Sequence, residues 1–324
     1  MRCLTLVEFS DSRRELFSLF VEYRMRCNVW NTSYELNLLY FDRYCSEVFP
    51  DISGVTQEMI DGWCVQRHTE TNNSAVGRTL PARKLIEFLN TRGIVNLAIP
   101  EMPLLKEKQY VPHSFTDLEL ANFFAECDRR ILGSKDYSRR FRALEMAVMF
   151  RLLYSSGIRT TEARLLRVAD VDLGNGVLNI REGKNCIEHY VALHFSTARM
   201  LTMYDAQAQQ MCPDRDLFFP GKDGKPFKPD TITYEFHKIW DSVNKENAVP
   251  YDLRHNYAIE NINSWISSGF AFEDKFLYLS KSMGHTSLES TRYYYSMVPA
   301  LATIIEKQSG SGFDDIIPEV PDDK

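Results

Sequence analysis

The chain has 324 residues, a formal net charge of −6, 44% hydrophobic residues and 25% charged residues, as expected of a water-soluble protein with two domains. No apolar run approaches the roughly 18–20 residues that span a bilayer, and the N-terminal stretch becomes polar too early for a secretory signal peptide. Seven scattered cysteines without a CxxC pair argue against a disulfide framework or a zinc site and favour a reducing cytoplasm.

The acidic total does not exclude a nucleic-acid partner. Residues 306–324 hold six acids and two bases, which leaves a net charge of only −2 for the first 305 residues. DNA binding requires a basic face rather than a basic total. The composition therefore permits DNA binding without indicating it.

The first hundred residues predict a helical region. Apolar residues recur at three- and four-residue spacing from Phe9 to about Asn96, and Asn31-Thr32-Ser33 offers a helix N-cap. The stretch Ala98–Pro112 has three prolines and no helical period, so it reads as an interdomain linker.

The rest of the chain predicts further helices around a small hairpin. Thr116 opens a helical region with TDLE as a capping box, and Gly157 is its stop. GVLNIREGK and EHYVALH read as two strands joined by a turn at 183–186, and FFPGKDGKPFKP reads as a loop. Three more helical stretches lie in 231–284, and the last twelve or so residues predict a disordered or partner-binding tail.

Four short stretches carry polar residues suited to binding phosphate. Each stretch alone has an ordinary structural explanation, since a lone arginine is usually a surface charge and a hairpin lysine is nearly always solvated. Tyrosines beside serine and methionine are usually half-buried core. The combination is what indicates a shared site. The stretches are SGIRTTEARLL, REGKN, YDLRHNYA and MGHTSLESTRYYYSM.

The order and spacing of these stretches resemble the tyrosine recombinases, also called phage-type integrases. That family has an arginine after a glycine with a glutamate three residues on, a lysine in a hairpin, His-x-x-Arg, Gly-His, and a tyrosine nine residues after that last histidine. Nine residues after His285 is Tyr294, the middle tyrosine of RYYYSM. Its neighbours point about 100° away on a helix, so only one of the three can face a shared site. The matching residues are Arg159 with Glu162, Lys184, Arg254, Gly284 with His285, and Tyr294.

The resemblance implies a role for each residue in cutting and rejoining DNA without metal, ATP or another cofactor. Two arginines hold the non-bridging oxygens of the phosphodiester, and Tyr294 attacks phosphorus to give a covalent 3′-phosphotyrosyl intermediate. Lys184 supplies a proton to the departing 5′-oxygen, and His285 donates a hydrogen bond to the phosphate. Glu162 buttresses the arginine-bearing turn. The implied catalytic residues are Arg159, Lys184, Tyr251, Arg254, His285 and Tyr294.

Tyr251 is the one clear departure from the family pattern, which usually has histidine at this position. A tyrosine can donate a hydrogen bond to phosphate, but its reference pKa of about 10 makes it a poor base at neutral pH. This leaves open how Tyr294 loses its proton. We expect the positive field of the arginines to lower the pKa of Tyr294.

The resemblance also implies a mainly α fold with a small antiparallel β-sheet, arranged as a two-domain C-shaped clamp around double-stranded DNA. A helical, SAM-like core-binding domain would occupy 1–97, a linker 98–112, an integrase-type catalytic domain 113–308 and an acidic tail 309–324. The helical pattern 297–308 could pack on its own domain, but the resemblance implies that it docks on a neighbouring protomer in a homotetramer. Accessory proteins would be further partners. Candidate DNA contacts are Arg78, Arg83, Lys84, Lys222, Lys225 and Lys228, each of which could equally be a solvated charge.

The leading hypothesis is a site-specific recombinase, the integrase or transposase of a mobile element or phage, acting in a bacterial cytoplasm or nucleoid. A type IB topoisomerase shares the catalytic set but would act as a monomer and relax supercoils without a specific site. A DNA-binding accessory protein, with catalysis lost along with the usual histidine, is the alternative from another class. Trapping of a covalent complex with DNA separates this last class from the two enzymes.

Overall fold

A computed structural model describes residues 9–27, 29–30, 32–105, 111–181, 188–221, 224–265, 272–285, 287, 290–291 and 294. The chain divides into two compact units, Met1–Tyr110 and Val111–Lys324, here called the N-terminal and C-terminal units. The division lies inside 98–112, the segment that the sequence predicts as a linker. The outer bounds of the two domains stay predictions.

The N-terminal unit is helical, as the three- and four-residue spacing predicts. Its helices bury one continuous apolar cluster that includes Phe17, Phe41 and Leu85. The side chains of Thr56 and Thr71 cap the last two helices by accepting from backbone amides three residues on. The helices are α1 (Arg14–Arg26), α2 (Thr32–Val48), α3 (Gln57–Cys64) and α4 (Asn72–Thr91).

The C-terminal unit packs its helices around a second, larger apolar cluster centred on α6, which includes Phe150, Phe236 and Trp240. A short 3₁₀ turn, Val168–Asp170, precedes the sheet. The helices are α5 (Asp117–Gly133), α6 (Tyr137–Ser156), α7 (Thr160–Leu165), α8 (Phe195–Met211), α9 (Pro229–Val243), α10 (Asp252–Trp265) and α11 (Phe272–Ser282).

One small antiparallel sheet, in the order β1-β2-β3, completes the described part of the C-terminal unit. Its strands are β1 (Val171–Asp172), β2 (Val177–Ile180) and β3 (His189–Ala192). Ile180 pairs with His189 at the end of β2 and β3, so the antiparallel pairing of the two predicted strands is confirmed. The predicted turn at 183–186 lies outside the described residues. The fold is therefore mainly α with a small antiparallel sheet, as predicted.

Two predicted helix boundaries are confirmed and position the site. The Thr116 hydroxyl accepts from the Glu119 amide while the Glu119 carboxylate accepts from the Thr116 amide, which is a capping box at the start of α5. Gly157 ends α6 in the left-handed conformation with φ +65°, where a side chain would also collide with the Tyr257 ring. Of the helices described, none is long and apolar enough to cross a membrane.

Candidate active site

Arg159 stands at the turn between α6 and α7, where a buried carboxylate fixes it. Glu162 has a fully buried side chain and accepts from the Arg159 amide at 2.7 Å and from its guanidinium Nη1 at 2.5 Å. Arg159 Nη2 donates to the Gly284 carbonyl at 3.0 Å. These contacts hold the guanidinium against the turn after α11, with 18% of its side chain exposed.

Arg254 lies in the first turn of α10 and is 1% exposed. Its Nη1 donates to the Gly157 carbonyl at 2.5 Å and its Nη2 to the Met283 carbonyl at 2.7 Å. Burial and the neighbouring Arg159 charge lower the pKa of Arg254. Two guanidinium groups from distant parts of the sequence therefore meet at the ends of α6 and α11.

His285 follows the Gly284 turn and faces Arg254. Arg254 Nη2 lies 3.0 Å from His285 Nε2, and His285 Nδ1 lies 2.7 Å from the Thr291 hydroxyl. Because a guanidinium can only donate, Nε2 accepts, and the ring proton therefore sits on Nδ1 and is donated to Thr291. Burial, then the charges of Arg254 and Arg159, lower the pKa of His285 to about 4. The imidazole is neutral at neutral pH.

Tyr294 is 3% exposed and packs in a small apolar cluster with α10 and α11. Its ring lies 5.4 Å from the ring of His255 and 6.2 Å from the nearly parallel ring of His285. Burial raises the pKa of Tyr294 to about 12, although Arg254 and Arg159 both act to lower it. Our expectation of a net lowering by the arginines is therefore wrong, because desolvation of the phenolate outweighs their field.

Tyr251 immediately precedes α10, and 41% of its surface is exposed. Its carbonyl accepts from the amides of Arg254 and His255, at 3.1 and 3.3 Å. Its ring meets the His255 ring edge-on with centroids 5.0 Å apart. The His255 ring thus contacts the rings of both Tyr251 and Tyr294. Tyr251, which departs from the family pattern, therefore lies beside the other predicted site residues.

Two buried histidines near the site were not among the predicted site residues. Burial lowers the pKa of His255, so its imidazole is neutral at neutral pH. His189 lies on the inward-facing side of β3, with Nε2 4.0 Å from a Glu162 oxygen. His189 could have been predicted as an inward-facing residue from the alternating pattern of its strand. His255 could have been predicted as a site residue because it follows Arg254 directly.

The predicted DNA contacts divide by exposure. Lys225 and Lys228 are exposed before and at the N-cap of α9, and Arg83 and Lys84 are half-buried on α4. Arg78 is 8% exposed: its guanidinium bonds Glu70, and also donates to the carbonyls of Trp63 and Val65. We therefore do not carry Arg78 forward as a phosphate contact. Lys184, Lys222 and the segment 297–308 lie outside the described residues.

Among the described residues, no three His, Cys, Asp or Glu side chains are grouped so that they could hold a metal ion. The polar groups that do converge are Arg159, Arg254, His285 and Tyr294, with Glu162, His189 and His255 behind them. Such a set can bind a phosphate oxygen through paired donors beside a tyrosine hydroxyl.

Comparisons with known proteins agree with this chemistry. The model of the Phage integrase family matches residues 129–299, more than half of the chain. A putative integrase/recombinase, y4rE of Sinorhizobium fredii, is 28% identical over 246 residues, covering 72% of this chain and 76% of the relative. Tyrosine recombinase XerC of Listeria monocytogenes is 26% identical over 277 residues, covering 82% and 85%.

Among solved structures, the integrase of the Tn1549 transposon in complex with transposon right end DNA aligns with a TM-score of 0.58. It is 12% identical and the alignment covers 90% of this chain and 98% of the integrase, so this likeness shows a shared fold. The chain belongs to the phage integrase family. It is a tyrosine recombinase, an enzyme of the class that cuts and rejoins DNA strands.

Proposed function

We propose that the chain is a site-specific recombinase that cuts and rejoins DNA through a covalent 3′-phosphotyrosyl intermediate on Tyr294, as the integrase or transposase of a mobile element. One observation carries the proposal. Residues separated by up to 135 positions, from Arg159 to Tyr294, come together so that two arginines and a histidine surround one buried tyrosine.

The two arginines would bind the scissile phosphate. Each guanidinium has five N–H donors, so the bonds to the carbonyls of Gly157, Met283 and Gly284 leave donors for phosphate oxygens. A phosphate oxygen also carries more negative charge than a carbonyl, and a phosphate can accept two parallel bonds from one guanidinium. The site therefore presents fixed positive charge where the pentavalent transition state gathers negative charge.

Strand cleavage follows as a balanced displacement. The Tyr294 oxygen attacks phosphorus, the bond from phosphorus to the 5′-oxygen breaks, and the 3′-phosphotyrosyl bond forms. Tyr294 gives up its proton, and the departing 5′-oxygen takes one, for which Lys184 is the candidate donor. Attack by a 5′-hydroxyl reverses the steps and rejoins the strand, so the bond energy is retained within the intermediate.

The raised pKa of Tyr294 means that its proton needs an acceptor in the site at neutral pH. The neutral imidazoles of His255 and His285 flank the tyrosine ring, and a neutral imidazole can take up a proton. In the free protein the lone pair of His285 is engaged by Arg254. We assign His255 and His285 as the candidate acceptors, and Tyr251 as a hydrogen-bond donor to the phosphate.

The mobile-element role is supported by relatives rather than by the site. The y4rE protein is named a putative integrase/recombinase, and the Tn1549 protein is a transposon integrase whose structure is a complex with transposon right end DNA. We propose that this chain likewise acts on double-stranded DNA at specific sites. The core-binding and catalytic domains would clamp the duplex, and the segment 297–308 would link protomers into a tetramer.

Covalent trapping tests the proposal. Suicide DNA substrates, nicked so that the cleaved end diffuses away, would be made from sequences flanking the gene and incubated with the full chain. Wild type should give a complex that survives denaturation and protease treatment down to one tyrosyl peptide, whereas Tyr294→Phe should give none. Tyr293→Phe and Tyr295→Phe are the matched controls and should retain trapping. Absence of any complex on all such substrates, or trapping retained by Tyr294→Phe, would overturn the assignment.

A further inference from the structure

A basic cleft of about 800 Å³ lies between α5, α6 and α9, at the end of α6 opposite the candidate active site. Arg139 and Gly157 are 18 residues apart, which corresponds to about 27 Å along the helix. Glu235 is the one acidic residue among the described lining residues. The cations that line it are Arg129, Arg130, Arg139, Arg142 and Lys238.

Carboxyl groups that contact the lining arginines balance only part of the positive charge of the cleft. Glu126 pairs with Arg129 and Arg130 at 2.5 and 2.8 Å, and one carboxylate cannot neutralise two guanidinium groups. Glu145 lies 2.8 Å from Arg142, but burial raises the pKa of this carboxyl to about 8, so it is mostly protonated at neutral pH. The cleft therefore keeps a clear excess of positive charge in a chain whose total charge is −6.

The floor of the cleft is apolar. Cys127, Met146 and Ile239 line it and are each at most 3% exposed. Cations beside an apolar floor match a peptide segment that alternates carboxylates with hydrophobic side chains.

The chain itself contains such a segment. Residues 313–323 read FDDIIPEVPDD, with five carboxylates, no basic residue and four hydrophobic side chains between them. Eighteen residues separate this segment from Tyr294. With the predicted helix over 297–308 they span about 18 Å of helix, at about 1.5 Å per residue, and about 20 Å of extended chain, at about 3.3–3.6 Å per residue. This reach of roughly 40 Å exceeds the distance of about 27 Å along α6 from Gly157 to Arg139. Attachment to the same chain also supplies a high effective concentration.

We propose that the acidic segment 313–323 docks in the basic cleft of its own chain, with its carboxylates on the arginines and its hydrophobic side chains on the apolar floor. This interaction is separate from strand cleavage, because the cleft lies away from the arginines and tyrosine of the candidate active site. Charged contacts of this kind weaken at high salt, where the Debye length falls to about 3 Å at 1 M.

Zero-length cross-linking of lysines to carboxylates in the full chain, followed by peptide mapping, tests the docking. Lys238 should join the acids of 313–323 about tenfold more often than Lys225 or Lys228 do, since Lys238 lines the cleft and the other two do not. The Lys238–Glu235 pair, 3.6 Å apart, is the internal positive control. Arg139→Glu changes an exposed side chain and should lower the tail cross-links to Lys238 about tenfold while leaving the control unchanged.

Mixing ordinary and ¹⁵N-labelled protein identifies the source of the segment. In an equal mixture, cross-links confined to one isotope class support docking in the same chain, whereas a mixed fraction near one half, as random pairing between chains gives, would show a second copy in the cleft and overturn the proposal. A DNA-binding measurement completes the test. Should Arg139→Glu lower the affinity for a DNA duplex tenfold or more while the tail cross-links equally to all lysines, the cleft is a DNA site and the proposal fails. Because no cleavage is measured, this result is independent of the role of Tyr294.

Discussion

Gly284 lies where a side chain would collide with a ring beside the candidate active site, and Gly284→Ala tests this packing. Gly284 has φ +62°, and a Cβ there would lie 2.6 Å from His189 Cε1 and 2.7 Å from Nδ1. His189 is 8% exposed, so its ring has little freedom to move away. The left-handed backbone costs a non-glycine residue about 1–2 kcal/mol, and overpacking adds about 1–3 kcal/mol. We expect a total loss of about 2–5 kcal/mol in the unfolding free energy of the C-terminal unit.

Gly176→Ala is the matched control in the same unit. Gly176 has φ +65°, but the nearest atom to an added Cβ is the Leu193 carbonyl oxygen at 3.6 Å, an ordinary contact. Only the backbone cost of about 1–2 kcal/mol then applies. Urea-dependent hydrogen exchange of peptides from α5 and α6 measures the unfolding of the C-terminal unit alone. Whole-chain fluorescence would report the unfolding of both units together.

The His189→Ala background identifies the cause of the extra loss. Without the imidazole ring, Gly284→Ala should cost no more than Gly176→Ala, which corresponds to a coupling energy of about 1–3 kcal/mol between the two positions. Equal losses for Gly284→Ala and Gly176→Ala in the wild-type background would refute the steric argument. An extra loss that persists in the His189→Ala background would show that the ring is not the obstacle.

Three further predictions concern charge and hydrogen bonding. The lowered pKa of His285 favours the neutral ring in the folded protein. The stability that the neutral ring contributes is therefore present above about pH 6.5 and is lost as pH falls toward about 4. An NMR titration of His285 with a midpoint near 6.5 would contradict this. Tyr251→Phe should slow strand cleavage about 10–100-fold if its hydroxyl donates to phosphate, while Tyr251→His retains cleavage, and full activity of the phenylalanine variant would show the hydroxyl to be dispensable. Arg78→Ala should lower the unfolding free energy of the N-terminal unit by about 3 kcal/mol and leave the salt dependence of DNA binding unchanged. Lys84→Ala should reduce the slope of log affinity against log salt concentration by about 1, with little loss of stability. The reverse pattern would restore Arg78 as a phosphate contact.

Local signals accounted for much of the fold. The capping box at Thr116, the helix stop at Gly157 and the antiparallel pairing of β2 and β3 depend on residues close in sequence, and all three are confirmed. Helix α8 was not predicted, although its buried residues Thr197, Leu201, Tyr204 and Ala208 follow a helical period. Its interior side chains include a threonine and a tyrosine, so hydrophobicity alone understates the pattern. β1 has two residues and owes its existence to pairing with β2.

The site illustrates what spacing can and cannot predict. Spacing selected Tyr294 from three adjacent tyrosines, and the structure places that residue beside Arg254 and His285. Burial was not predictable in the same way. Arg78 was proposed for DNA because its stretch opens a helix, where phosphate contacts are natural, yet tertiary packing encloses it. The direction of the pKa shift of Tyr294 likewise depends on how much protein surrounds the hydroxyl, a quantity that the sequence does not contain.

The free protein holds its reactive groups in mutual contacts, and this has a consequence for the proposed reaction. Arg254 donates to two carbonyls and to His285 Nε2, while Tyr294 is buried with its pKa raised to about 12. A phosphodiester in the site would compete for Arg254 with charge-assisted bonds, and turning Arg254 toward the phosphate would release the lone pair of His285. Under the proposed function, arrival of DNA would then supply a binding partner for the arginine and a proton acceptor for the tyrosine in one rearrangement. The tyrosine would stay neutral and unreactive until its substrate is bound.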